Sequence, residues 1–321
     1  VRAVLLREFG PPGRLAVEDM PDPVAGPGQV LIDVQFANIT FVETQVRAGR
    51  PPVPAMAPQL PVILGNGVGG TVAAVGAGVD PALAGSRVVS TTGGSGGYAE
   101  RVAVDAAGLI PVPENLGLAE AVALLADGRT AIALIRSAKV QPGETVLVEA
   151  AAGGVGSLLV QLARNSGARV VGVAGGPRKV SVVTGLGADV AVDYAQPGWT
   201  DRVRRDAGGV DVVFDGVGGE IGTSAFGLVD RGGRLCAFGM ASGAFTRIAD
   251  DAAVGRGITV VRGAPVSPEQ SRALSQAALA EAAADRLRPL IGQRYPLERA
   301  ADAHAAIESR ATVGKTLLTA R

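Results

Sequence analysis

The chain has 321 residues, 47% of them hydrophobic, which is enough to fill more than one core. Thirty basic and thirty acidic side chains cancel, and no run of like charge stands out, so nucleic acid and anionic membrane surfaces are not expected partners. A single cysteine and a single histidine exclude an internal disulfide and any multi-cysteine zinc knuckle.

The first residues carry only a short apolar run before Arg7 and Glu8, too short for a signal peptide or a membrane span, and a cytoplasmic location is expected. Up to about residue 110 the chain is rich in glycine, proline and valine, with short alternating runs such as 30–34 and 70–75, the texture of irregular β structure. From Ala119 onward apolar strands alternate with helical stretches, as in a parallel sheet wrapped by crossover helices. Six strands are expected, over 145–151, 169–174, 189–193, 210–215, 233–239 and 258–262, making one doubly wound domain. An alanine-rich helix over 269–285 and a strand over 316–319 follow, and this tail is expected to return to the N-terminal domain. The expected division is therefore a mainly β domain of residues 1–118 and 267–321, with a nucleotide-binding domain of 119–266 inserted in it.

The strongest local signal is the run TVLVEAAAGGVGSLLVQLA at 145–163, a buried strand, a glycine turn and an amphipathic helix. In the G-x-G-x-x-G frame its three positions are Ala151, Gly153 and Gly156. The second admits a close pyrophosphate, the third admits close helix packing, and the helix N-terminus offers unpaired N–H groups to phosphate. About twenty residues further on, where NAD-binding domains carry an acid for the ribose hydroxyls, stand Gly175 and Gly176, followed by Arg178 and Lys179. The missing acid and the adjacent cations point to a 2′-phosphate, and so to NADPH.

The segment Ala150-Ala-Ala-Gly-Gly-Val-Gly156 resembles the phosphate loop of quinone oxidoreductases in the medium-chain dehydrogenase/reductase superfamily. Gly26-Pro-Gly-Gln-Val-Leu-Ile32, Gly96-Gly-Tyr-Ala-Glu100, Gly187-Ala-Asp189 and Arg231-Gly-Gly-Arg-Leu235 agree in order and spacing. The resemblance implies an α/β fold, a doubly wound parallel Rossmann sheet inserted in a GroES-like, mainly β catalytic domain. It also implies hydride transfer from a nicotinamide cofactor and a homodimer, for which the edge strand near 258–262 is the expected contact. Its cofactor residues map onto Gly153, Gly154 and Val155 of the turn, onto Gly175, Arg178, Lys179 and Tyr194 for the 2′-phosphate, and onto Thr130, Gly216, Val217, Phe238, Gly239 and Met240 for the remainder.

Zinc-dependent members of the superfamily carry a Gly-His-Glu motif where this chain reads Gly65-Asn66-Gly67, and there is no cysteine around residues 38–40. No metal is expected, His304 reads as a structural histidine, and Cys236 reads as a small apolar core residue. Without a metal to polarise an alcohol, the resemblance implies a small-molecule acceptor that is already activated, a quinone or the C=C of an α,β-unsaturated ketone. A carrier-linked enoyl reductase and a non-catalytic NADPH-binding protein are the alternatives. Relatives carry asparagine at Thr40 and tyrosines at Gln45 and Pro51, so the catalytic candidates are altered. They are Thr40 as a hydroxyl donor, and Asp127 and Arg129, expected to flank a turn and helix start before Thr130. An apolar substrate pocket is expected to be formed partly by residues 51–61.

Overall fold

The computed structural model describes residues 1–262 and 266–320. It divides the chain into two compact units, Val1–Arg129 with Pro268–Arg321, and Thr130–Ser267.

The first unit holds strands β1 (Arg2–Leu6), β2 (Leu15–Asp19), β3 (Gln29–Ile39), β4 (Val62–Ile63), β5 (Val68–Val75), β6 (Arg87–Ser90), β7 (Arg101–Asp105) and β8 (Ile110–Pro111), with the short helix α1 (Phe41–Arg47) after β3. Helix α2 (Leu118–Ala138) contains the division between the units. β3 is the organising strand, pairing antiparallel with β5 and β7. Its Val30, Ile32 and Val34 are buried at the two-residue period of a strand with one face on a core.

The second unit runs β9 (Thr145–Val148), α3 (Gly154–Asn165), β10 (Arg169–Ala174), α4 (Pro177–Gly185), β11 (Val190–Asp193), α5 (Trp199–Ala207), β12 (Val210–Asp215), α6 (Gly219–Leu228), β13 (Val229–Ala237), α7 (Asp250–Val254) and β14 (Thr259–Arg262). The described strands form one parallel sheet in the order β11-β10-β9-β12-β13-β14. Because helices cover both faces, the central strands are apolar throughout: Val146, Leu147, Val148, Val212, Val213 and Phe214 are fully buried. The order reverses between β9 and β12, and the carboxyl ends at such a reversal form the crevice where doubly wound sheets bind ligands.

The chain then enters α8 (Pro268–Ala283), β15 (Ile291–Pro296), α9 (Ala300–Glu308) and β16 (Lys315–Thr319), which belong to the first unit. β16 pairs antiparallel with β3, Thr316 opposite Ile39 and Leu317 opposite Asn38. Strand boundaries differ from the sequence reading mainly at turns. β9 stops at Val148 rather than residue 151 because Ala150 takes φ +45° to begin the glycine turn, and β13 starts at Val229 and ends at Ala237.

Candidate cofactor and active site

The glycine turn lies at the carboxyl end of β9. Gly153 is the N-cap of α3, and its N–H donates to the Ala150 carbonyl at 2.7 Å. A Cβ on Gly156 would stand 2.3 Å from that same carbonyl oxygen, so only glycine lets the helix start this close to the strand. Gly153, Gly154 and Val155 remain partly exposed. They occupy the first turn, where N–H groups have no intrahelical acceptor, which suits a pyrophosphate.

At the end of β10 the two glycines do different work. Gly176 caps α4 at φ +87°, a conformation that disfavours side chains, and a Cβ there would meet nothing within 4 Å. A Cβ on Gly175 would stand 3.2 Å from the Tyr194 ring, so the space expected there for a phosphate is bordered by that ring. Lys179 lies in the first turn of α4, half-buried, beside the exposed Arg178. One acid does stand at this turn, Asp193 at the end of β11, which accepts N–H bonds from Gly176 and Ala195, both at 2.9 Å. Burial pushes its carboxyl up, but the N–H groups of Gly176 and Ala195 and the Gln196 amide outweigh that and hold it below its ordinary value.

At the carboxyl end of β12, Gly216 and Val217 form the turn into α6, and residues 238–242 run alongside. The Phe238 N–H donates to the Asp215 carbonyl at 2.9 Å and the Ser242 N–H to the Val217 carbonyl at 2.8 Å. The Phe238 ring rests on Gly216, where a Cβ would lie 2.8 Å away. Val217 is buried, whereas Gly216, Phe238, Gly239 and Met240 are partly exposed. Thus the second unit brings the turns bearing Gly153, Gly216 and Phe238 to adjacent strand ends. Cys236 is buried in β13, and burial pushes its thiol up to about 11. Two acids unremarked in the sequence, Glu149 and Asp215, stand fully buried at the ends of β9 and β12. The signal available was an acid inside the otherwise apolar run TVLVEAAAG.

The catalytic candidates fall in the first unit. Thr40 is the N-cap of α1 in a full capping box: the Glu43 N–H reaches its hydroxyl at 3.4 Å, while the Thr40 N–H and hydroxyl donate to Glu43 Oε2 at 2.6 and 3.1 Å. The expected free donor is therefore engaged by its own helix. Glu43 Oε2 also accepts from Tyr98 Oη at 3.2 Å, and Tyr98 Oη meets His304 Nε2 at 3.1 Å. Burial, and then the charge of Arg47, push His304 down to about 3, so it is a neutral core residue.

Asp127 requires correction. No turn or helix start precedes Thr130; α2 runs unbroken from Leu118 to Ala138, and Asp127 sits in its interior. Its partner is the buried ammonium of Lys315, at 2.8 Å. The helix keeps Gly128 because a Cβ there would stand 2.7 Å from Ala278 of α8. Arg129 is half-buried, and burial pulls its guanidinium below the ordinary value against the opposing effect of Asp127. Thr130 follows on the same helix, half-buried.

Where zinc relatives carry their histidine, the Asn66 side chain instead accepts N–H bonds from Thr92 and Gly94, at 3.3 and 2.7 Å. A Cβ on Gly67 would lie 2.5 Å from Asn38 Nδ2. Among the described residues no group of three or more His, Cys, Asp or Glu side chains is placed to hold a metal ion, and no helix is long and apolar enough to cross a membrane. Of residues 51–61, Val53 and Met56 present exposed apolar side chains.

Known proteins agree with this architecture. A family model described as an alcohol dehydrogenase GroES-like domain matches residues 26–114, and one described as a zinc-binding dehydrogenase matches 186–318. The quinone oxidoreductase of Sus scrofa is 32% identical over 321 residues, covering 98% of this chain and 97% of its own. A 2-haloacrylate reductase from a Burkholderia species is 30% identical over 333 residues, covering 99% and 98%. The Escherichia coli quinone oxidoreductase, solved with NADPH, is similar with a TM-score of 0.90 at 28% identity, covering 99% of this chain and 100% of that one. A GroES-like unit and a Rossmann sheet of this strand order in one chain define a medium-chain dehydrogenase/reductase. The chain belongs to the quinone oxidoreductase-like family of that superfamily.

Proposed function

We propose that this NADPH-dependent oxidoreductase reduces a quinone or the C=C of an α,β-unsaturated carbonyl compound without the help of a metal. The observation that carries the cofactor reading is the turn after β10, where Gly175 and Gly176 replace the ribose-binding acid and Tyr194 and Lys179 stand beside them. The relatives named quinone oxidoreductase and 2-haloacrylate reductase support an activated acceptor.

NADPH, when bound, supplies a hydride. The residues of this chain bind and orient it. The N–H groups of Gly153, Gly154 and Val155 hold the pyrophosphate at the N-terminus of α3, Lys179, Arg178 and Tyr194 hold the 2′-phosphate, and Gly216, Val217, Phe238, Gly239 and Met240, with Thr130, line the remainder. Reduction of an enone leaves negative charge on the carbonyl oxygen and calls for a proton at the α-carbon. Arg129 is the candidate to stabilise that oxygen. It ranks ahead of Thr40, whose hydroxyl proton is held by Glu43, and Asp127 is assigned no catalytic part, being paired with Lys315.

The deciding experiment follows NADPH absorbance with phenanthrenequinone and a panel of simple enones. Turnover with at least one acceptor, undiminished by a chelator, is expected; NADPH binding without any turnover would favour the non-catalytic alternative. Metal analysis giving about one tightly bound zinc per chain would refute the metal-free mechanism. We also propose that the protein is a homodimer formed through β14, an edge of the described sheet whose unpaired backbone invites extension across a twofold axis. Light scattering is expected to give twice the chain mass, and a monomer at micromolar concentration would end that proposal.

A further inference from the structure

Glu149 and Asp215 occupy one of the costliest positions in the second unit. Both side chains are fully buried. β9 and β12 are paired with Val148 opposite Phe214, so the two acids are the next residues at the carboxyl ends of neighbouring strands. The Glu149 N–H donates to the Phe214 carbonyl at 3.1 Å, which continues the pairing to the point where the chains part.

The donors supplied to these four carboxyl oxygens are three. Asp215 Oδ1 accepts the Gly218 N–H at 2.7 Å and Asp215 Oδ2 the Thr246 hydroxyl at 2.5 Å. Glu149 Oε2 accepts the Val217 N–H at 3.1 Å, and Oε1 is buried with no donor. Two ionised carboxylates would be untenable in such a place, because their repulsion and their lost hydration are both large. A proton on Glu149, donated to Asp215, removes the second charge and gives the orphaned oxygen a role.

We propose that Glu149 is a positioning residue for the cofactor: it shares one proton with Asp215 while accepting the Val217 N–H, and so fixes the Gly216–Gly218 turn at the reversal of the sheet. The inference rests on the reading of that turn as part of the NADPH site. Together the two acids hold both consecutive amides of the turn, Val217 and Gly218, while the Val217 carbonyl accepts the Ser242 N–H. Burial, reinforced by Asp215, pushes the Glu149 carboxyl well above the ordinary carboxylate range. Asp215 is the ionisable group that faces it; the other elements packed on the pair bring Gly222 of α6 and the Thr246 hydroxyl.

The sign of the pH effect follows. The folded chain keeps this proton at pH values where the unfolded chain has already released it. The stability it contributes is complete below the unfolded-state carboxylate pKa, falls as pH rises, and is lost once the raised folded-state value is passed.

The test compares the parent protein with Glu149→Gln and Glu149→Ala in NADPH titrations from mildly acid to alkaline pH, with thermal unfolding of the cofactor-free proteins over the same range. Gln can donate to Asp215 and accept from Val217 without titrating. It is expected to bind NADPH at neutral pH within about threefold of the parent and to lose the alkaline weakening, which in the parent should approach roughly tenfold per pH unit. Ala is expected to raise Kd and KM for NADPH by about tenfold, with kcat changed far less. The unfolding temperature should fall with pH in the parent and not in the Gln variant. A Gln variant that keeps the alkaline limb of the parent, or one that binds as poorly as Ala, overturns the shared proton. If no variant nor the parent binds NADPH, the cofactor reading falls, and the pH series in unfolding temperature still decides whether the proton is shared.

Discussion

Replacing Lys179 with alanine is expected to weaken NADPH binding by about 10- to 100-fold and to leave NADH binding nearly unchanged. The magnitude is that of one charge-assisted hydrogen bond, about 1.5 to 3 kcal/mol. The selectivity follows because NADH has no 2′-phosphate for an ammonium to meet. Lys179 stands in the first turn of α4, next to exposed Arg178 and three residues after Gly176. Titrations of both cofactors at two salt concentrations check the point, because the exposed part of the effect should shrink as the Debye length shortens. Equal losses for NADPH and NADH would show that Lys179 supports the turn rather than reading the phosphate. A parent protein that prefers NADH would reverse the reading of the two glycines.

The cofactor half of this protein was legible because its physics is local. A strand buried on both faces must be apolar along its length, a strand-to-helix turn this tight must carry Gly156, and both are visible as a run of letters. Four of the six expected strands fall within two residues of their observed ends, and the glycine turn is where it was expected. What the sequence hid are pairings between residues far apart in the chain. Glu149 and Asp215 are 66 positions apart and meet only because β9 and β12 are neighbours across the reversal in strand order. Asp127 looked like the cap of a helix beginning near Thr130 because Ala126-Asp127-Gly128 has the composition of a helix start. It is helical interior because two distant residues make that affordable, Ala278 packing against Gly128 and Lys315 neutralising the acid. Thr40 was legible as a hydroxyl near the catalytic segment. The capping box that engages it is written in the sequence at the proper spacing, Thr40 to Glu43, but the same hydroxyl spacing suits a donor to a ligand equally well.

The largest effect on stability is expected at Lys315. Its side chain is 4% exposed and its ammonium lies 2.8 Å from Asp127, itself nearly buried, so the pair ties β16 to α2 in an environment with little water. Removing one member of a buried ion pair leaves an uncompensated charge, and such variants lose about 3 to 5 kcal/mol. For Lys315→Met that corresponds to a fall in unfolding temperature on the order of 10 °C. Asp127→Leu alone should cost a similar amount by stranding the ammonium. The double variant should recover most of both losses, because apolar side chains of comparable size can replace a buried pair at little net cost. Unfolding temperatures of the four proteins form a double-mutant cycle in which strong non-additivity is the expected outcome. Turnover measured on the same four proteins separates structure from chemistry. If Asp127 served the reaction, the double variant would regain stability and stay inactive. With Asp127 paired to Lys315 as the structure has it, activity is expected to return together with the fold.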